Sequence, residues 1–469
     1  MKRLIVLCTL CIAALALSAQ AKYVFYFIGD GMGANQVLSA EMYRSAVQGA
    51  PLGRVQTLMT TFPYSGQVST YSASDGITDS AAAGTCLATG TKTKNGMLGM
   101  NGDTVSLMTI AERLRERGWG IGIMTTVAID HATPAAFYAH VPKRSQYYKV
   151  GKQLVKSDFD FFGGAGFHYP EGKHDDQTPN LYRLAEENGY TIARGYEEAQ
   201  QMLDIQSPIT NKKLLLVQRG DSSTVHGSNL PYAIDRKEGD LTLAQIVSTA
   251  IPFLEARHDR FFMMVEGGMI DYACHSNDAA TAIGETWDMN EAMEVAYRFY
   301  TAHPDETLIV VTADHETGGM ALGNGGHILD LQLLQHQKCS AWILSDRFSQ
   351  LFKNTKKPSW EEVQALYREA LGFWDTVEIT PEEEQKLKDL YQAACRGKAK
   401  DAKNLYKSIN ALGEAGVALL NRKAHIGWTT RSHSAHAVPV FAIGAGAELF
   451  SGWHDNTEIA PLIMKAVNH

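Results

Sequence analysis

Short apolar runs alternate with segments of helical periodicity along most of the chain. The nearly continuous apolar run at residues 23–28 predicts a central strand that is covered on both faces. Similar runs predict further strands at residues 121–126, 214–217, 261–265, 307–311 and 439–443. Helical patterns lie between them, as in residues 106–118, where a final glycine suits a C-terminal cap. This alternation predicts an α/β fold of three layers (α/β/α) with a mostly parallel central sheet.

The segment from about residue 329 to 423 differs from the rest. It is more charged, as in the stretch that follows Pro381, and it contains few strand-like runs. We therefore expect a helical insertion packed on the α/β core. The remainder, residues 22–469, is predicted to be one domain because no clear linker divides it.

The first 21 residues have the features of a secretory signal peptide. They begin with Lys2 and Arg3, continue with an apolar run from 4 to 17, and end in Ala19-Gln20-Ala21. The apolar run is short for a transmembrane helix. We expect export to the periplasm or the medium after cleavage near Ala21, without a membrane anchor. Export permits disulfides among the four cysteines that remain, whose pairing stays open: Cys86, Cys274, Cys339 and Cys395.

The net charge of the chain argues against one class of binding partner. The 469 residues contain 43 Lys and Arg against 51 Asp and Glu, a net charge of −8. Proteins that bind nucleic acids usually carry a basic excess, so this composition argues against a nucleic-acid-binding role.

Polar clusters follow three of the predicted strands. Because ligands bind beyond the carboxyl ends of strands in open α/β sheets, these clusters could converge on one site. Mixed nitrogen and oxygen donors suit zinc, and an all-oxygen set suits magnesium. Each cluster alone is weak evidence, but together they indicate a metal centre. The candidate ligands are Asp30, Glu266, Asp271, His275, Asp314 and His315.

Ser80 is a candidate nucleophile. It follows Asp79 and precedes a run of small residues that looks like a helix start. A helix N-terminus favours phosphate and an ionised oxygen. The alternative is a plain N-cap role for Asp79 or Ser80. A Gly-x-Ser-x-Gly elbow is missing around Ser80, so a Ser-His-Asp hydrolase is not indicated.

A third signal lies between residues 130 and 144. Thr133 could offer a hydroxyl to a hard cation, and Arg144 could hold two phosphate oxygens with its planar fork. The alternative is an N-cap threonine and a surface arginine, and the residues alone leave both open.

Taken in order, these motifs resemble those of the alkaline phosphatase family. The sequence has Asp-Gly-Met-Gly at 30–33, Asp-Ser-Ala at 79–81, His-Ala-Thr-Pro-Ala at 131–135, Val-Glu-Gly at 265–267 and Thr-Ala-Asp-His-Glu at 312–316. A late histidine completes the family order, and its position before a Val-x-Val strand selects His433 over His436. The resemblance extends from Tyr23 to about Gly446.

The resemblance implies a phosphomonoesterase that hydrolyses small phosphate monoesters through a phosphoserine and releases inorganic phosphate. It implies two zinc ions and one magnesium ion, and a homodimer, since family members are commonly dimers. Arg144 would bind the phosphate. The implied ligands are Asp271, His275 and His433 for the first zinc, Asp30, Asp314, His315 and Ser80 for the second, and Asp30, Thr133 and Glu266 for magnesium, with His131 beside it.

Two positions vary within the family. His131 stands where some members have aspartate, and Tyr272 stands where lysine or histidine is familiar. These differences leave open which ion occupies the third metal site. Two other functions also remain open: a phosphodiesterase or another phospho- or sulfo-transfer enzyme of the same superfamily, and a non-catalytic metal- or phosphate-binding protein.

Overall fold

The structure is a computed structural model that describes residues 20–171, 179–204, 213–220 and 228–468. Of the predicted signal peptide, residues 1–19 lie outside the described residues. Within the described chain, Cys86, Cys274, Cys339 and Cys395 are free cysteines. Within the same residues, no helix has the length and apolar character needed to cross a membrane.

Sixteen strands are present in the described residues, and ten of them form one sheet. In chain order they are β1 Tyr23–Gly29, β2 Tyr64–Ser69, β3 Gly120–Thr125, β4 Phe161–Gly164, β5 Tyr190–Arg194, β6 Lys213–Val217, β7 Phe261–Gly267, β8 Thr307–Ala313, β9 Glu316–Thr317, β10 Met320–Leu322, β11 Ala402–Lys403, β12 Ser408–Ile409, β13 Ile426–Trp428, β14 His433–Ser434, β15 Val438–Gly444 and β16 Gly452–Asp455.

The large sheet has the order β16-β2-β15-β8-β1-β7-β3-β4-β6-β5. β15 runs antiparallel to both of its neighbours, β8 and β2, and the other pairs are parallel. The prediction of an α/β fold with a mostly parallel central sheet is therefore confirmed.

Helices occupy much of the chain between the strands. The α-helices are Ala34–Val47, Ser80–Thr89, Ile110–Glu116, Ala132–Ala135, Tyr147–Lys156, Leu181–Glu187, Tyr196–Asp204, Leu243–Glu255, Met269–His275, Ala279–Ala302, Ala341–Asn354, Trp360–Leu371, Pro381–Cys395, Ala411–Lys423 and Ile459–Ala466. Short 3₁₀ helices lie at Met59–Thr61, Ala233–Asp235, Leu331–His336 and Ala447–Phe450.

Three fully or almost fully buried strands form the centre of the sheet. β1 lies between β7 and β8, and all residues of β7 and β8 are buried. This burial on both faces explains why these strands have continuous apolar sequences rather than alternating ones. The register is level, because Gly29 at the end of β1 lies opposite Gly267 of β7 and Ala313 of β8.

The predicted helix at residues 106–118 is shorter in the structure, where it spans Ile110–Glu116. Thr109 forms a capping box with Glu112, and this reciprocal pair of hydrogen bonds starts the helix at Ile110, four residues later than predicted. Gly118 has a φ of 79°, so it is the left-handed residue that ends the helix, as the sequence indicates.

Residues 329–423 contain the 3₁₀ helix Leu331–His336, four α-helices and the small hairpin of β11 and β12. Their apolar side chains, including Leu344, Phe348 and Tyr367, form a second buried cluster. Trp287 of the long helix Ala279–Ala302 belongs to the same cluster, so this segment packs on the α/β core through that helix. The limits of the insertion as a domain stay a prediction.

Candidate active site

The acidic and histidine clusters lie at the carboxyl ends of the three central strands. Asp30 directly follows β1, and Asp314 directly follows β8. Glu266 is the penultimate residue of β7, and the helix after β7 carries Asp271 and His275. Level strand ends therefore bring these side chains to one edge of the sheet, as the sequence predicts.

A tight turn after β1 makes room for the neighbouring cluster. Gly31 has a φ of 72°, a left-handed conformation that favours glycine. A Cβ atom at this position would lie 2.9 Å from Thr317 Oγ1 and 3.0 Å from Asp271 Oδ1. Glycine at 31 is therefore required both by the backbone and by the close approach of Asp271.

The first group of candidate ligands is Asp271, His275 and His433, whose ligand atoms all lie within 4.8 Å of one another. His275 Nε2 is 3.2 Å from His433 Nε2 and 3.3 Å from Asp271 Oδ2. The Nδ1 atom of His275 faces the Arg431 carbonyl at 2.5 Å, and that of His433 faces the Thr78 carbonyl at 2.8 Å. These carbonyls orient both rings with Nε2 toward the cluster, as in metal-binding histidines.

The second group is Asp30, Asp314 and His315. His315 Nε2 is 3.2 Å from Asp314 Oδ2 and 3.4 Å from Asp30 Oδ1. Burial and the adjacent carboxylate of Asp314 raise the pKa of Asp30 well above its usual range, and burial likewise raises that of Asp314. Burial lowers the pKa of His315, so its ring is neutral and can act as a ligand.

The third group is Asp30, His131 and Glu266, so Asp30 belongs to two groups at once. Thr133 Oγ1 donates to Asp30 Oδ2 at 3.4 Å, and Thr125 Oγ1 donates to Glu266 Oε2. Burial raises the pKa of Glu266 to about 7 and lowers the pKa of His131 well below its usual range.

These groups fit divalent metal ions. Asp30 Oδ1, Asp314 Oδ2 and Glu266 Oε1 are buried and accept no hydrogen bond from any described residue. Buried carboxylate oxygens without donors are costly, and a cation among them would remove that cost. Nitrogen and oxygen donors in the first two groups suit zinc, and the oxygen-rich third group suits magnesium.

Ser80 lies against the second group. It is the first residue of the helix Ser80–Thr89, and Asp79 is the N-cap, accepting a hydrogen bond from the Ala82 N–H at 3.0 Å. Ser80 Oγ is 3.3 Å from His315 Nε2. The serine therefore combines a helix N-terminus with immediate contact to candidate metal ligands, and Asp79, not Ser80, provides the cap.

Arg144 reaches the same region from outside. Its Nη1 donates to Asp79 Oδ2 at 3.2 Å, and its Nη2 lies 3.1 Å from His131 Nε2. The side chain is one-fifth exposed. Asp79 thus connects the helix of Ser80 to the guanidinium of Arg144, a connection that sequence reasoning missed.

The structure brings together all eleven residues singled out from the sequence. His436, the rejected alternative to His433, is exposed and lies 3.6 Å from Glu316 Oε2, outside the three groups. Two further residues contact Asp271 and were missed: Thr317 and Tyr406. Thr317 is two residues from His315, so its place in that motif could have identified it as part of the site. Tyr406 lies in the helical segment, far from any motif, so the sequence around it gives no such indication.

Known proteins resemble this chain along nearly its whole length. A family model described as alkaline phosphatase matches residues 21–469. Alkaline phosphatase 3 of Bacillus subtilis (strain 168) is 30% identical over 465 residues, which cover 96% of this chain and 90% of that protein. Alkaline phosphatase of Escherichia coli (strain K12) is 30% identical over 335 residues, which cover 63% of this chain and 70% of that protein.

Solved structures of alkaline phosphatases are also similar to this chain in fold. A cold-active alkaline phosphatase from the psychrophile Shewanella sp. has a TM-score of 0.77 at 30% identity, covering 95% of this chain and 99% of that one. The alkaline phosphatase of Thermus thermophilus has a TM-score of 0.78 at 27% identity, covering 96% of this chain and 92% of that one.

Proposed function

The chain belongs to the alkaline phosphatase family and is a metal-dependent phosphomonoesterase; from this premise we propose that Ser80 is its nucleophile, at a site for two zinc ions and one magnesium ion. The observation that carries the proposal is the 3.3 Å contact between Ser80 Oγ and His315 Nε2 within a group of unpaired buried carboxylates.

The proposed metal ligands are the three groups described above. When bound, the metals lower the pKa of the oxygens they hold and neutralise the charge that develops on the leaving oxygen. The first zinc would be held by Asp271, His275 and His433, the second by Asp30, Asp314, His315 and Ser80, and magnesium by Asp30, Thr133 and Glu266, with His131 beside it.

Ser80 takes the phosphoryl group. The Ser80 hydroxyl releases its proton to solvent, its Oγ forms a bond to phosphorus while the bond from phosphorus to the ester oxygen breaks, and the departing alkoxide takes a proton from solvent. Water then hydrolyses the phosphoserine, which restores the hydroxyl and releases inorganic phosphate. The dipole at the start of the helix Ser80–Thr89 favours the phosphate charge during both steps.

Arg144 orients the phosphate. With Nη1 bonded to Asp79 and Nη2 beside His131, the plane of its guanidinium is held in place. A fixed fork suits two unesterified phosphate oxygens, because it can donate to both in parallel. Such a contact favours a doubly charged monoester over a diester.

The test compares substrates, metals and one variant. A chromogenic phosphate monoester and the matching diester are hydrolysed at about pH 7 and about pH 10 by wild type and by Ser80→Ala, with zinc and magnesium or after chelation. We expect monoesterase activity that falls at least about 10³-fold in Ser80→Ala, as removal of a nucleophile does in other hydrolases. Chelation should abolish it, and zinc should restore it.

Four results would contradict the proposal. Full activity of Ser80→Ala would remove Ser80 from the role. Activity that survives chelation would exclude the zinc pair. Preference for the diester would support a phosphodiesterase, and bound zinc without turnover of either ester would support a binding protein.

We also propose that the enzyme is exported. The support comes from the sequence of the first 21 residues, with their basic start, apolar run and Ala-Gln-Ala end. Cleavage after Ala21 would leave Lys22 as the first residue of the mature enzyme.

A further inference from the structure

A tyrosine from the helical segment reaches the metal ligands. The short hairpin of β11 and β12 lies between the helices Pro381–Cys395 and Ala411–Lys423, and Tyr406 lies in its turn. The Tyr406 hydroxyl donates to Asp271 Oδ2 at 2.9 Å. The sequence separation is 135 residues, so this contact joins the segment at 329–423 directly to a candidate ligand on the helix that follows β7.

The ring of Tyr406 is held by two neighbours from the ligand-bearing helix. It stacks on Tyr272 with 3.5 Å between ring centroids and 4° between ring planes. The His275 ring meets it edge-on at 5.3 Å and 82°. Tyr406 therefore packs against the residue that follows Asp271 and against the histidine one helical turn later.

Asp271 receives a hydroxyl on each carboxylate oxygen. Thr317 Oγ1 donates to Oδ1 at 2.5 Å, and Tyr406 donates to Oδ2. Two donors on opposite oxygens fix the plane of the carboxylate. In metal sites, hydrogen bonds of this kind orient the ligand, and their loss weakens metal binding.

The hairpin itself is anchored on both sides. Asn404 Oδ1 accepts from the Tyr406 N–H at 2.9 Å, and Asn404 Nδ2 donates to Ser276 Oγ, next to His275, at 3.0 Å. Lys407 forms an ion pair with Asp346 of the helix Ala341–Asn354 at 2.9 Å. These contacts hold the turn against the ligand-bearing helix and against the helical segment at once.

We propose that Tyr406 is a positioning residue for the first zinc site, acting through Asp271. This inference rests on the proposed function, because it assumes a metal held by Asp271, His275 and His433. It gives the helical segment a defined role in metal binding. The helix Met269–His275 and the short strand β14 supply the ligands of this site, and the hairpin at 402–409 holds one of them in its binding orientation.

The test removes the hydroxyl and keeps the ring. Zinc affinity of wild type and Tyr406→Phe is measured by competition with a chromogenic zinc chelator, together with activity at increasing zinc. We expect Tyr406→Phe to bind one of its zinc ions about 10- to 100-fold more weakly, the usual cost of removing such a partner, and excess zinc to restore turnover.

Tyr367→Phe is the matched control. Tyr367 is buried in the same helical segment, and its hydroxyl donates to the Leu412 carbonyl at 2.8 Å, away from the candidate ligands. This variant also loses one hydrogen bond, so we expect it to match Tyr406→Phe in urea stability without zinc but to bind zinc like wild type.

The outcomes separate the two claims. Wild type that binds two zinc ions while Tyr406→Phe binds both equally well would overturn the role of Tyr406 and leave the proposed function intact. Weakened zinc binding in the control as well would also overturn it, because the loss would then be a general effect of stability. Wild type without bound zinc would overturn the proposed function and this inference together.

Discussion

The buried carboxylate of Asp278 and the buried carboxylates of the candidate site differ in the number of hydrogen-bond donors that face their oxygens. Asp278 caps the helix Ala279–Ala302, and each of its oxygens has two donors: Thr281 N–H and Gln337 Nε2 on Oδ1, and Thr281 Oγ1 and Ala341 N–H on Oδ2. In the candidate site, Asp30, Asp314 and Glu266 each keep one oxygen without a donor among the described residues.

This difference separates the helix-capping Asp278 from the three candidate metal ligands. All four residues are fully or almost fully buried, so burial alone does not distinguish them. Asp278 joins two helices through N–H and O–H groups, and its charge is distributed over those donors. The other three each keep one oxygen without a hydrogen-bond donor, and a cation would neutralise these oxygens. Among these four residues, the number of donors around the carboxylate, and not its burial, therefore distinguishes the helix cap from the candidate ligands.

Of the three substitutions that test this comparison, Asp314→Asn should have the strongest effect on activity. Loss of this charge should cost several kcal/mol of the stabilisation that the metals provide, or about 10³-fold in turnover. The metal-free variant should be at least as stable in urea as metal-free wild type, because a neutral amide relieves the crowding of carboxylates. Monoesterase assays and urea unfolding after chelation measure both. If Asp314→Asn kept the turnover of wild type, or if it were less stable than wild type without metal, Asp314 would not differ from Asp278 in the way described.

Asp278→Asn should show the opposite pattern. One oxygen becomes an NH₂ group that faces the two donors of that oxygen, so at least one buried N–H or O–H loses its partner at a cost of about 1–3 kcal/mol. Turnover per folded molecule should stay near wild type. Urea unfolding and the same assay test this prediction, and unchanged stability would show that the donors around Asp278 contribute little.

The smallest predicted effect is the loss of stability when a carboxylate loses a histidine partner that titrates. Glu112 Oε1 lies 2.8 Å from His140 Nε2, and this hydrogen bond raises the pKa of His140 above its ordinary value. The stabilisation is fully present below about pH 6.5 and is lost as pH rises through the folded-state pKa. We expect His140→Gln to lose at most about 1 kcal/mol, and less at about pH 9 than at about pH 6.

Urea unfolding of both proteins at the two pH values checks this prediction. A difference between wild type and His140→Gln that grows with pH would show that the pair is not ionic. The three substitutions together then cover carboxylates that face a proposed metal, neutral donors and a histidine.

The sequence predicts the centre of the molecule better than its edges. β1, β7 and β8 are buried on both faces, and their continuous apolar runs are unambiguous. β2 reads Tyr-Ser-Gly-Gln-Val-Ser, and β4 has four residues of which two are glycines, so neither has a strand pattern. These strands form because neighbouring strands offer hydrogen-bond partners, which a local pattern does not record.

The residues of the candidate site likewise differ in how well the local sequence predicts them. Asp30 and Asp314 directly follow core strands, so their convergence follows from the predicted topology. His433 comes from a two-residue strand that pairs with β9, and the resemblance, not the local pattern, identified it. Tyr406 depends on how a hairpin in a helical segment packs against Ser276 and Asp271, which is a long-range property of the folded chain.

The level ends of β1, β7 and β8 determine which mutations such a chain can accept during evolution. The separation of Asp30 from Asp314 follows from main-chain hydrogen bonding, which places neighbouring strands about 4.8 Å apart, and not from the identity of the core side chains. Exchanges among core residues of similar volume leave it unaltered. Deletion of one residue within β8 would instead move Asp314 by about 3.3 Å and turn its side chain to the opposite face. Divergence in such chains should therefore accumulate as replacements within the central strands and as changes of length between them.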